Sequence, residues 1–344
     1  MKLPDVLWRR VIPALLLAGC KALVPPAPPP AVAVAPAAPP PAPGMSVEKV
    51  REELQVAPWE IALCGVRGET GASETVTARN VLDQPVTVNA IEVLGEAAPA
   101  FKIVGRPALP TVIPAKGSLS VDLTLQPPAD FTPGLKRGIV RFQTGLTAED
   151  GPAADLYALV TRGRNPDDEP PLQEIIESLS YGVDVGGRTL KLAKMADQTA
   201  VPFFQRANKA PVAINPVARF SADGRVPFGY FLPGNSLKNV DRRRLAVLSE
   251  GNHQTLNPPV EPGGFTSFDP GETRFGIWIG PDEHVVYSEA RRNRGKPRGL
   301  ARIYPLKARG GAAVADAYLI AFGDEDRADY QDAVFVLWNV KLTQ

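Results

Sequence analysis

The chain of 344 residues contains only two cysteines, Cys20 and Cys64, and two histidines, His253 and His284. A disulfide framework of the kind that staples small secreted domains is thereby excluded, and so is a zinc site of three histidines. No HExxH, no Walker phosphate loop and no GxSxG nucleophile elbow occurs anywhere in it. A surplus of one charge is also lacking. The 38 Lys and Arg residues against 37 Asp and Glu leave a net charge of +1, so no global field steers the chain toward nucleic acid. The apolar stretch "VIPALLLAG" at 11–19 is too short to cross a bilayer, which takes about 20 residues. Proline, by contrast, is abundant at 37 residues.

Lys2, Arg9 and Arg10 precede that apolar stretch, and small residues close it before Cys20, in the basic–apolar–small order of an export signal. Leu17, Ala18, Gly19 and Cys20 together resemble the lipobox of bacterial lipoproteins. The resemblance implies cleavage before Cys20 and attachment of palmitate-type acyl chains at its thiol. It also implies sorting to the outer membrane, because Lys21 rather than Asp follows the cysteine. Buried acyl methylenes contribute about 0.8 kcal/mol each, so several chains on one cysteine hold firmly. An ordinary secretory signal or an uncleaved anchor is the alternative.

Residues 25–44 hold ten prolines in twenty positions and no charge. Such a segment forms neither helix nor ladder and is expected to extend as polyproline II, a stiff stalk spanning on the order of 60 Å. The expected organisation is a signal at 1–19, the lipidated Cys20 and a Pro/Ala-rich linker at 20–45, and two folded domains at 46–164 and 165–344. Without the signal, 35 basic and 36 acidic residues remain, a charge near zero.

Both domains read as β, so the predicted fold class is all-β, with two β-sandwiches in tandem. In the first, "LQVAPWEIALCGVRG" at 54–68 reads as an edge strand around Pro58. It is followed by "ETVTARNV", "VTVNAIEVLG", "FKIVG", "SLSVDLTLQP", "RGIVRFQTG" and "ADLYALVTRG", short alternating runs separated by turn residues. These segments, with the turn "IPAKG", resemble the ASH-type (choice-of-anchor D) immunoglobulin-like domain of bacterial surface proteins. The resemblance implies a spacer or docking module without a catalytic group, and Cys64 stands where such domains carry a core aromatic, as a small buried hydrophobe.

In the second domain Leu172, Ile175, Ile176 and Leu179 fall at i, i+3, i+4 and i+7, which predicts one short amphipathic helix. Further strands are expected, ending in "DAYLIAFG" and "AVFVLWNV". The text from "QTLNPPVEPGGFTSFDP" onward resembles a C-terminal β module of large secreted bacterial surface proteins, which implies surface display and names no ligand.

Candidate site residues fall in three groups. Arg291, Arg292, Arg294, Lys296 and Arg298 form a basic run suited to a polyanion such as lipopolysaccharide phosphate or an acidic polysaccharide, or else a solvated hairpin loop. Tyr230, Tyr287, Trp278 and Trp338 are able to stack on sugar rings, although buried strand aromatics are more often core. Asp324, Asp326, Asp329 and Asp332 offer oxygens for calcium, but the spacing lacks the glycine and terminal glutamate of an EF-hand loop. Asp332 alternatively braces a corner, satisfied by loop amides and an arginine such as Arg302. Calcium is thus the one cofactor in view, and none is required. The chain is expected to act by binding or scaffolding envelope, glycan or matrix material, with no nucleic-acid partner and no catalysis. Its rivals are a glycan-active enzyme built on a pair such as Glu283 and Glu289, in the manner of a glycoside hydrolase, and a structural subunit of an envelope protein complex.

Overall fold

The computed structural model describes residues 53–145, 151–192, 196–234, 236–237, 240–251, 254–293, 300–323 and 329–343. Nine strands come first: β1 (Leu54–Ala57), β2 (Glu60–Val66), β3 (Ser73–Asn80), β4 (Val86–Gly95), β5 (Phe101–Val104), β6 (Thr111–Ile113), β7 (Ser118–Leu125), β8 (Gly134–Thr144) and β9 (Ala153–Thr161). They form a four-stranded sheet in the order β1-β3-β7-β5 and a five-stranded sheet in the order β2-β9-β8-β4-β6. Alternation along the strands points Val76 and Leu123 of the first sheet at Ile91, Phe142 and Leu156 of the second, and these close a sandwich core. On β4 the register slips between Val88 and Ala90, and this bulge is what turns both Val88 and Ile91 inward. The stretch 54–68, expected as one edge strand, holds two. Pro58 has no N–H to continue a ladder, and the chain crosses there from the edge of one sheet to the edge of the other.

The one α-helix among the described residues, α1 (Leu172–Ser178), follows the exposed segment 164–167. Twelve more strands then run to the end of the described chain: β10 (Phe203–Arg206), β11 (Val212–Phe220), β12 (Val226–Pro233), β13 (Val240–Leu248), β14 (Gln254–Leu256), β15 (Ser267–Phe268), β16 (Gly276–Ile279), β17 (Val286–Tyr287), β18 (Ala301–Lys307), β19 (Ala313–Phe322), β20 (Ala333–Trp338) and β21 (Val340–Thr343). One sheet has the order β14-β11-β20-β19-β18, with β15 also on β11, and it faces a second sheet of order β13-β12-β16-β17. The fold is all-β apart from α1 and a few 3₁₀ turns.

The β11–β20 sheet is apolar on both faces. Ala333, Phe335 and Leu337 point into the second sandwich's core beside Phe228 and Ile277, while Val334 and Val336 point the other way. There they meet Leu172, Ile175 and Ile176 of α1, together with Cys64 and Leu159 from the outer face of the first sandwich. The helix and its apolar stripe are as expected, and the helix is a wedge between two sheets. "AVFVLWNV" is not one strand either: Asn339, at a φ of 61°, ends β20 and starts β21 on a new path.

Candidate functional site

The acidic corner precedes β20. Asp324 and Asp326 lie outside the described residues; Asp329 is buried, Asp332 is half-buried, and Tyr330 between them has a φ of 62°. That left-handed residue breaks the extended run, so strand alternation does not carry back from β20 to the aspartates. Among the described residues no group of three or more His, Cys, Asp or Glu side chains is placed to hold a metal ion. The arginine expected as the brace is engaged elsewhere. Arg302 donates to the Leu192 carbonyl at 2.8 Å and lies 4.3 Å over the Tyr330 ring. Arg219 feels the Asp332 charge; it is fully buried and donates to the carbonyls of Ser249, Ala222 and Gly224 at 2.9, 3.1 and 2.6 Å. Burial lowers its pKa from the ordinary arginine value, and the charges of Asp223 and Asp332 oppose that shift.

Of the basic run, Arg294, Lys296 and Arg298 lie outside the described residues. Arg291 is exposed, whereas Arg292 is internal: its guanidinium pairs with Glu289 at 2.5 Å, donates to the Leu237 carbonyl at 2.8 Å and caps the Phe231 ring at 5.2 Å. Glu289 is thereby committed to Arg292, while Glu283 stands exposed on a 3₁₀ turn. Of the aromatic candidates Tyr230 and Trp278 are core, while Tyr287 and Trp338 are half-buried at the margins of apolar clusters. Tyr230 stacks on Phe268 at 4.4 Å, and the buried Trp278 donates its indole N–H to the Tyr230 carbonyl at 3.0 Å. Cys64 is buried, and burial pushes its thiol up to about 11, so it stays protonated and unreactive at neutral pH. Its Sγ lies 3.5 Å from the Gln254 carbonyl, across the joint between the sandwiches.

A further concavity, which none of these groups lines, is a cleft of about 630 Å³ at the same joint. One wall is the outer face of the five-stranded sheet. Arg137 of β8 sits directly opposite Tyr157 of β9 in the ladder, and Glu60 of β2 sits opposite Asp155. Along this face the side chains change from apolar, at Cys64 and Leu159 in the joint core, to polar at the cleft. The other wall is α1, the segment 181–188 and the turn after β18, which contribute Glu177, Asp184, Arg188 and Arg309. Gly182 lets these pieces close up, since a Cβ there would stand 2.2 Å from the Ala308 carbonyl oxygen.

Arg309 crosses from the second sandwich to the first. It pairs with Glu60 and Asp155, donates to the Ser180 hydroxyl and lies 4.9 Å over the Tyr157 ring. Burial raises the Glu60 pKa, and the Arg309 charge opposes it. Arg188 forms an ion pair with Glu177, and Arg137 approaches the same carboxylate at 3.6 Å. Two guanidinium groups therefore share one carboxylate at the mouth of the cleft. Sequence reasoning missed these residues because they come together only when the sandwiches pack. The one signal in the text is "ADLYALV", which is not polar on alternate positions as a solvent-facing strand would be.

No family model matches the chain, and no curated protein matches it either. Solved structures do. An MSP family member of C. elegans is 15% identical, over 32% of this chain and 99% of its own, with a TM-score of 0.21. The seventh ASH/PapD-like domain of human CEP192 is 14% identical, over 40% of this chain and 99% of its own, at 0.24. The E. coli chaperone DraB is 13% identical, over 76% of this chain and 95% of its own, at 0.25. The all-β assignment stands on the sheets themselves.

Proposed function

We propose that the chain is an outer-membrane lipoprotein of the ASH type that acts by binding or scaffolding, without catalysis. Acylated Cys20 anchors it, the proline-rich segment 25–44 holds the body away from the bilayer, and the paired sandwiches meet envelope, glycan or matrix material. The observation that carries the scaffolding half is the core shared by α1, Leu159 and Val336, which fastens the two sandwiches into one body. A fixed body transmits position, whereas modules on a loose linker would not. The anchoring half rests on the Leu17–Cys20 motif. Metabolic labelling with a fatty acid, followed by membrane fractionation, tests it. Label in the wild-type chain and none in an unprocessed Cys20→Ser chain is the expected result; an unlabelled wild-type chain, or a labelled variant, would overturn the reading.

A further inference from the structure

We infer that the cleft between the sandwiches binds a saccharide that carries an oxyanion, either a carboxylate or a phosphate. Its volume of about 630 Å³ lies within the range of about 300–1,000 Å³ in which small-molecule sites fall. The anion is argued from Arg137 and Arg188. Their side chains are 66% and 61% exposed, yet both converge on Glu177, which is 18% exposed, so the same carboxylate serves both as ion-pair partner while Asp184 lines the cleft beside them. At 3.6 Å the Arg137 contact is an ion pair beyond hydrogen-bond length, which leaves that planar fork of donors available to a second oxyanion. Arg309 offers no free donor fork of this kind, because Glu60 and Asp155 already hold it. The saccharide body is argued from the rest of the lining, where the carboxylates of Glu177 and Asp184 accept hydroxyl protons beside donor guanidiniums. At Gly187 the nearest atom to where a Cβ would stand is the Leu192 Cδ2 at 4.0 Å, and with no side chain of its own the backbone there leaves room for a ring. The saccharide class rests on the envelope-binding reading above; the oxyanion rests on the arginines alone.

Calorimetry on the full chain, purified in detergent, tests this with glucuronic acid, glucose 6-phosphate, glucose and inorganic phosphate as probes. At least one charged sugar is expected to bind, more weakly at high salt, and glucose at least about tenfold more weakly. Which charged sugar binds tighter identifies the oxyanion. The double variant Arg137→Gln/Arg188→Gln is expected to lose at least about tenfold in affinity at an unchanged melting midpoint, and Arg188→Gln alone to lose part of it. Absence of binding by both charged sugars, equal binding of glucose, or full affinity in the double variant would overturn the proposal. Inorganic phosphate binding as tightly as the sugar phosphate would overturn its saccharide half. None of these readouts depends on acylation of Cys20, which fatty-acid labelling measures separately.

Discussion

At the scale of single residues, buried polar groups fix the loops. Asn80 is fully buried and uses its whole amide: the nitrogen donates to the carbonyls of Gln84, Ile113 and Pro114, and the oxygen accepts the Leu82 N–H at 2.9 Å. Arg219 does the same for the segment 221–224, holding two of its carbonyls, the Ser221 hydroxyl and the Ser249 carbonyl with one guanidinium. A charge so placed is tolerated because each of the three guanidinium nitrogens donates to an acceptor. Arg219→Met keeps the aliphatic stem and abandons those carbonyls, so a loss on the order of 2–3 kcal/mol is expected in denaturant unfolding. A variant as stable as the wild type would show that water replaces the guanidinium without cost. Neither residue stands out in the sequence, since an arginine in "VARFSADG" reads as solvated until the turn that folds over it is known.

At the scale of elements, α1 is the piece on which the joint turns. Leu172, Ile175 and Ile176 enter the shared core, and Glu174 reaches the first sandwich, where its Oε2 accepts the Leu135 N–H at 3.2 Å. Burial raises the Glu174 pKa above about 4.5, with the Leu135 hydrogen bond opposing the shift. The folded chain then holds that proton more tightly than the unfolded chain, so this group's contribution to stability falls as pH rises from 4.5 through the raised value. Glu174→Gln retains an acceptor for Leu135 and does not titrate. It is expected to match or exceed the wild type at neutral pH and to flatten the stability profile between about pH 4 and 7. A variant clearly weaker than wild type at neutral pH would assign the ionised carboxylate a stabilising role instead. The helix itself was legible, because Leu172, Ile175, Ile176 and Leu179 recur at helical spacing. So were most strands, whose alternation is local. Strand β13 was only half legible: "DRRR" at 241–244 looks like a loop, and pairing with β12 makes it an edge strand. The break at Asn339 and the sheet change at Pro58 depend on tertiary partners, which periodicity does not encode.

At the scale of the whole molecule, the two sandwiches have separate cores and a third one between them. The join at 164–167 is polar and exposed, as a linker should be, yet Glu169 and Pro170 directly after it are buried. Glu169 accepts from Gln331 at 3.1 Å and from Gln254 at 3.2 Å, so the chain is pinned to the second sandwich as soon as it leaves the first. A linker's sequence marks where the chain is accessible and says nothing about whether the domains beside it cohere. The two properties separate experimentally. Limited proteolysis is expected to cut near Arg164–Asp167, where backbone is exposed, and to leave two fragments of resistant β-sheet. If the sandwiches form one body, the nicked chain elutes from size exclusion at the position of the intact chain and separates only in denaturant. Fragments that part from each other in native buffer would contradict the shared core, and with it the rigid scaffold.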